Sequence, residues 1–270
     1  MVRKISGITV KEFSEFTGVN QSTLRYYDKI GLLLPAKRGE NDYRYYAPLQ
    51  RTTLNFIRVL ISPSVPIAEI RDMVNEREPE NVIELLRRQE AILDKKLHEL
   101  RTAYSIMHVY HKNIRNGLMG DAGDVRVEEL GGMQYILGPA NDFGDHDDYY
   151  EPYKHFCNSA DELKINLNYP VGGYHENMGA FLTEPNRPDR FFSIDPTGTC
   201  TRMAGQYLVG YSRGYYGHFG DLPQKMNAFA EEHALFLKGP VYVVYLLNEI
   251  CIKDPEQLLS RISVCVTKEG

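Results

Sequence analysis

The sequence predicts a multidomain chain with α and α+β parts: a winged helix-turn-helix, a long dimerisation coiled-coil helix, and a duplicated α+β domain on a curved antiparallel sheet. Three observations predict it. Two short helical periodicities flank a Gly-containing turn near the start and run into a basic turn. A heptad seam then recurs from residue 86 to residue 118, and beyond it strand and helix patterns follow in the order β-α-β-β, twice. The boundaries drawn from these patterns are 1–76, 81–118, a linker at 119–123, and 124–270.

In the head, Val10, Phe13 and Phe16 keep helical spacing behind Thr9, which can act as N-cap with Glu12 three residues on. Thr17-Gly18-Val19 interrupts, and Asn20 can cap a second helix that carries Thr23, Leu24 and Tyr27 and stops near Ile30-Gly31. After Leu34-Pro35, the stretch KRGENDYRYY places a tight turn at Gly39 to Asp42 between two short extended arms, a wing. Pro48 can start a helix through Leu54, Ile57 and Leu60. After the SPSVP break a further helix from Ile67 to Val74 closes the unit.

From about Val82 to Leu118 the residues Leu86, Leu93, Leu97, Leu100, Tyr104, Met107, His111, Ile114 and Leu118 make a heptad seam. A stripe of that length needs a partner, which points to a homodimer; the alternative is one long helix packed on its own domain. Glycines and acids at 117–123 break the helix. Strands follow at VRVEEL, MQYILGPA, VGGYHENMG, FFSID, GQYLVGYSRG, VYVVYLLNEI and SRISVCVT, with helices at YYEPYKHFCNSADEL and LPQKMNAFAEEHAL. Two such halves would enclose a concavity.

The chain of 270 residues carries a net charge of -5, which hides an asymmetry. Residues 1–60 hold 10 Lys+Arg against 5 Asp+Glu, while residues 121–270 hold 12 against 22. A basic head on an acidic body suits a polyanionic partner for the head alone. The four cysteines have no CxxC spacing, which disfavours a zinc module and fits reduced thiols in the cytoplasm. No segment has the apolar run of a membrane span.

The residues RYYDKIGLL, followed by a basic turn and NDYRYY, resemble the signature of the MerR family of transcription regulators over about residues 6–76. Residues 124–268, with GPVYVVYL, resemble more loosely the GyrI-like effector-binding domain of that family's multidrug-sensing branch. The resemblance implies a homodimer on double-stranded promoter DNA. It sits in an over-long spacer and, with effector bound, bends and undertwists the DNA so that RNA polymerase meets both recognition elements. Gln21, Ser22, Thr23 and Arg25 lie where side chains can reach base edges. Tyr26, Tyr27, Lys37, Arg38, Tyr43, Arg44 and Tyr46 would follow the phosphate backbone. One tyrosine of each pair is expected to pack rather than bind, and Asp28 to form a salt bridge or cap within the head.

For the effector, metal sensing by the family's usual route is disfavoured, because residues 61–120 hold no Cys and His98, His108 and His111 are isolated on the helix. No cofactor is implied. Twelve of the 19 tyrosines lie beyond residue 120, which suits a flat, lipophilic, aromatic small molecule, neutral or cationic. Tyr150, Tyr169, Tyr211, Val243 and Tyr245 are the candidate contacts. Where the family commonly carries a buried glutamate this chain has Val243, so a cation would rely on rings and on carboxylates elsewhere, such as Glu151, Glu176 or Glu249. Alternation puts Val241, Val243, Tyr245 and Leu247 on one face. The chain is therefore expected not to be an enzyme; the competing readings are a DNA-tethered small-molecule hydrolase and a drug-sequestering protein.

Overall fold

The computed structural model describes residues 7–62, 65–76, 78–144 and 149–267, and divides after Leu100 into two compact units. Pro63 and Ser64 of the expected SPSVP break lie outside the described residues. Among the described residues no helix is long and apolar enough to cross a membrane.

In the first unit, β1 (Ile8–Thr9) leads into α1 (Val10–Thr17) through a capping box. The Thr9 side chain accepts from the Glu12 amide at 3.2 Å, and the Glu12 carboxylate accepts from the Thr9 amide at 2.7 Å. Such a cap is worth about 1 kcal/mol. Gly18 ends α1 at φ 70°, a left-handed conformation that a Cβ would strain. Asn20 holds the N-cap position of α2 (Gln21–Lys29), but its side chain makes no capping bond. The wing forms as expected: β2 (Lys37–Arg38) pairs antiparallel with β3 (Arg44–Tyr46), and β1 adds to the other edge of β3. α3 (Gln50–Ile61) begins beyond Pro48, with the Gln50 side chain accepting from the Ala47 amide at 2.9 Å, and α4 (Ile67–Glu76) completes the unit. Phe13, Leu24, Tyr46, Leu54, Ile57 and Ile70 form its core.

The long helix α5 (Pro79–Gly117) crosses the division. Leu85 joins the core of the first unit, and Val109 with Ile106 and Ile114 joins that of the second. Ile114 thus leaves the seam its spacing suggested. Residues 91–100 are exposed on every face, and Leu93, Leu97, Leu100, Tyr104 and Met107 of the seam present an uncovered apolar stripe.

The second unit runs β4 (Val125–Leu130), β5 (Met133–Ala140), α6 (Tyr150–Asn158), α7 (Ala160–Leu163), β6 (Val171–His175), α8 (Met178–Thr183), β7 (Arg190–Ser193), β8 (Cys200–Arg202), β9 (Gly205–Arg213), α9 (Leu222–Glu232), β10 (Phe236–Leu247) and β11 (Leu259–Thr267). All strands join one sheet in the order β4-β9-β11-β10-β6-β7-β5-β8. The expected duplication is present in the topology. β5-α6-β6-β7 gives the order β5-β7-β6, β9-α9-β10-β11 gives β9-β11-β10, and the halves meet where β10 pairs with β6.

Three details differ from the expectation. The stretch VGGYHENMG is not one strand: β6 ends at His175, and Asn177 accepts from the Ala180 amide at 3.0 Å to cap α8. β8 is an added edge strand on β5. Val241, Val243 and Tyr245 share a face, but a register irregularity between Tyr245 and Leu247 turns Leu247 to the opposite core.

Candidate functional site

On the head, α2 is two-faced. Leu24 and Asp28 are buried, whereas Ser22, Arg25, Tyr26 and Lys29 are exposed at i, i+3, i+4 and i+7, a single outward stripe. Gln21, Thr23 and Tyr27 flank it, half-buried, and Tyr27 packs against the head's core. Lys29 continues the stripe and was not among the expected contacts, although the same helical spacing would have found it.

The wing is tied to this helix through Asp28. Its carboxylate accepts from Arg38 Nη2 at 2.8 Å and from Arg44 Nε at 2.6 Å. The Asp28 side chain is 1% exposed, while those of Arg38 and Arg44 keep 43% and 27%, so each guanidinium retains an outward side. Arg38 also pairs with Asp42 at 2.6 Å, and these two carboxylates hold the guanidinium above its usual pKa. Lys37 and Tyr43 are exposed, and the Tyr43 ring lies 5.6 Å from that of half-buried Tyr45. Tyr46, expected along the phosphate backbone, is fully buried instead. Its ring stacks on Phe13 at 4.7 Å and its hydroxyl donates to the Leu24 carbonyl at 3.4 Å. Burial holds that phenol protonated, with its pKa pushed up to about 12.

In the second unit a cavity of about 540 Å³ sits where the two halves of the sheet join. Its floor is Gly172 and Gly173 of β6 beside Val243 of β10, and Val243 pairs directly with Gly173. Gly173 leaves room where a side chain would stand, whereas a Cβ on Gly172 would meet the Phe192 ring of the opposite core. Tyr149, Tyr150, Tyr153, Tyr169, Tyr215, Tyr216 and Tyr245 line it. Tyr216 and Tyr245 rings lie 4.3 Å apart, and the Tyr245 hydroxyl accepts from the Gly217 amide at 3.1 Å. Desolvation raises the pKa of Tyr149, Tyr216 and Tyr245, so the walls present neutral hydroxyls.

Two ionisable groups other than phenols line this cavity among the described residues. Glu249 is exposed at the rim and accepts from the Tyr216 hydroxyl. His175, 1% exposed, packs edge-on against Phe181 at 5.0 Å, and neither ring nitrogen has a hydrogen-bond partner. Burial lowers its pKa to about 4, against a weaker opposing pull from Asp189, so it is a neutral donor and acceptor at pH 7. No spacing rule singled it out, because its role depends on the pairing of β6 with β10. Of the other carboxylates considered, Glu151 holds Lys154 at 3.2 Å.

Four of the five expected ligand contacts, Tyr150, Tyr169, Val243 and Tyr245, line this cavity. Tyr211 does not. The row Val243–Ile262–Gly210 crosses three strands on the cavity's side, so the neighbouring row Val244–Arg261–Tyr211 faces the other way. There the Tyr211 hydroxyl donates to Glu128 at 3.0 Å, and its ring lies beneath Arg126 at 5.1 Å.

Residues 9–46, the head just described, match the family model described as MerR family regulatory protein. The chain is 30% identical over 117 residues to the HTH-type transcriptional regulator HmrR of Rhizobium leguminosarum bv. viciae, an alignment covering 40% of this chain and 90% of that protein. The chain belongs to the MerR family. This MerR-family protein is also 24% identical over 259 residues to the multidrug-efflux transporter 2 regulator of Bacillus subtilis (strain 168), with 94% of each covered. It is 28% identical over 168 residues to the multidrug-efflux transporter 1 regulator of the same organism, with 60% of each covered.

Proposed function

We propose that this MerR-family protein is a dimeric, ligand-responsive transcription activator, in which occupation of the tyrosine cavity controls how promoter DNA is held for RNA polymerase. The observation that carries the reading is a tyrosine-walled cavity of about 540 Å³ on the same chain as a winged head with a basic outward stripe. Head residues 1–76 hold promoter spacer DNA, with Arg25, Tyr26, Lys37 and Tyr43 outermost. The helix 81–118 pairs two chains through the stripe from Leu93 to Met107, and 124–270, after the linker 119–123, holds the effector. The similarity to two multidrug-efflux regulators supports efflux or multidrug resistance as the regulated process.

The cavity suits a flat, lipophilic, aromatic molecule. Its volume is that of sites for drug-sized ligands, and its walls offer ring faces and neutral hydroxyls. With Val243 at the centre and Glu249 at the rim, a cation is met by rings rather than by a buried charge. Val243 supplies neither an acid nor a base, which counts against the hydrolase alternative. Binding to a fragment of the promoter beside its own gene, followed by fluorescence anisotropy as salt is raised, tests the DNA-binding half. Affinity should fall steeply with salt and saturate at two chains per site; salt-independent binding, or none, would overturn the reading.

A further inference from the structure

On the sheet face opposite the tyrosine cavity lies a second cavity of about 620 Å³. Its floor is the row Val244–Arg261–Tyr211, and Asn113 of α5 and Arg202 of β8 also line it. Arg202 and Arg261 are 4% and 8% exposed, and among the described residues neither forms an ion pair with a carboxylate. Arg202 donates to the Gly131 carbonyl at 2.7 Å and to Ser263 Oγ at 3.4 Å, and its guanidinium lies 4.9 Å from the Tyr207 ring centroid. The Tyr211 hydroxyl and, at longer range, Glu128 reach Arg261. Glu128 itself is taken by Arg126 at 2.7 Å and by the Tyr211 hydroxyl.

Three residues that line this cavity each hold one buried donor with no acceptor: Arg202 Nε, Arg261 Nε and Asn113 Nδ2. Burying a guanidinium with one donor left unpaired is costly, and two like charges in one wall raise the cost. Burial and the neighbouring Arg261 push Arg202 down to about 10, which still leaves it charged at neutral pH. Glu128 and Glu129 also line the cavity, against Arg126, Lys112, Arg202 and Arg261, so the lining keeps a positive excess. Met133, Ile194 and Val244 supply an apolar wall beside it.

We propose that this cavity is a second ligand site, for a small organic anion that sets a carboxylate or sulfonate against Arg202, Arg261 and Asn113 and an apolar body against Met133, Ile194 and Val244. The anion balances the charge of two buried guanidiniums that have no carboxylate partner among the described residues. Arg126 and Lys112 at the same wall draw it in. It differs in charge preference and in sheet face from the effector cavity, so the two sites can be filled independently.

Isothermal titration calorimetry of the full-length protein tests this with 2-naphthoate and its uncharged counterpart 2-naphthamide as probes. Naphthoate is expected to bind at least about tenfold more tightly, a difference of about 1.4 kcal/mol. Saturating tetraphenylphosphonium should leave naphthoate binding unchanged. Arg261→Gln and, on the helix side, Asn113→Leu should each weaken naphthoate at least fivefold, by about 1 kcal/mol, with naphthamide unaffected. Equal affinities for the two probes, displacement by the cation, or undiminished naphthoate binding in Asn113→Leu would overturn the proposal. Should Arg261→Gln not fold, the wild-type comparison and Asn113→Leu decide it.

Discussion

The buried carboxylate of Asp28 accepts a hydrogen bond from Arg44 Nε at 2.6 Å, and this contact pins the wing to the second helix of the head. Arg38 completes the clamp from the other arm. A charge-assisted hydrogen bond to a buried carboxylate, such as that from Arg44, contributes about 1.5–3 kcal/mol net, while the exposed Arg38 contact is screened by solvent. Asp28→Asn is expected to lower stability by about 2 kcal/mol, read from the urea midpoint at constant slope. DNA affinity should fall as well, although the substitution removes a negative charge. Tighter DNA binding by this variant would show that Asp28 acts by repelling phosphate and not by positioning the wing.

On the proposed reading, the tyrosines and cations of the head divide into holders of the fold and holders of DNA. Lys37→Ala should reduce the slope of log affinity against log salt by about one, whereas Arg25→Ala should cost about 1–3 kcal/mol of binding and relax the preference among operator sequences. Tyr46→Ala should instead cost about 3–5 kcal/mol of stability, because a fully buried ring stacked on Phe13 is lost. A Tyr46→Phe variant keeps the ring and should bind DNA as the wild type does. Loss of DNA affinity in a stable Tyr46→Phe protein would place that hydroxyl at the interface.

His175 gives the second unit an acid-sensitive joint. Its folded pKa, lowered to about 4, lies below the unfolded value of 6.5. The unfolded chain therefore binds the proton more readily, and His175's contribution is complete above pH 6.5 and is lost as pH falls through 6.5 towards 4. The loss should be on the order of 3 kcal/mol. Urea unfolding of wild type and His175→Gln at pH 7 and pH 4.5 checks this, and the variant should show the flatter dependence. Parallel curves would mean that His175 does not titrate in this window.

On the proposed reading, Val243 sets the charge preference of the tyrosine cavity. Val243→Glu places a carboxyl beside Gly173 among the rings, where burial favours its neutral form until a cation arrives. Affinity for tetraphenylphosphonium should rise about tenfold or more relative to an uncharged aromatic of similar size, measured by tyrosine fluorescence quenching. An equal change for both probes would indicate a change of shape alone.

Much of the fold was legible because its signals are local. The Thr9–Glu12 capping box, the Gly18 stop, the wing turn at 39–42 and the long helix are each written within a few residues of where they act. The β-α-β-β order and an antiparallel sheet were legible too, yet the order of strands within the sheet was not, since the joining of β10 to β6 is a long-range pairing. The same gap explains the site. Tyr211 and Val243 both sit on apolar alternating strands, and only the register across β9, β11 and β10 assigns them to opposite faces. Tyr46 was hidden for a similar reason, as its partner Phe13 lies on another element. The opposed rows that separate Val243 from Tyr211 also separate the two cavities.

Run-off transcription from the promoter beside the gene, with purified RNA polymerase and tetraphenylphosphonium as probe, bears most directly on the claim that the tyrosine cavity governs activation. The wild-type protein should give several-fold more transcript with the probe than without it. Tyr150→Ala, which removes an exposed ring at the mouth of the cavity, should lose most of that increase while occupying the promoter at the same concentration. Transcript that stays flat while the probe binds, or a Tyr150→Ala protein that responds in full, would contradict it.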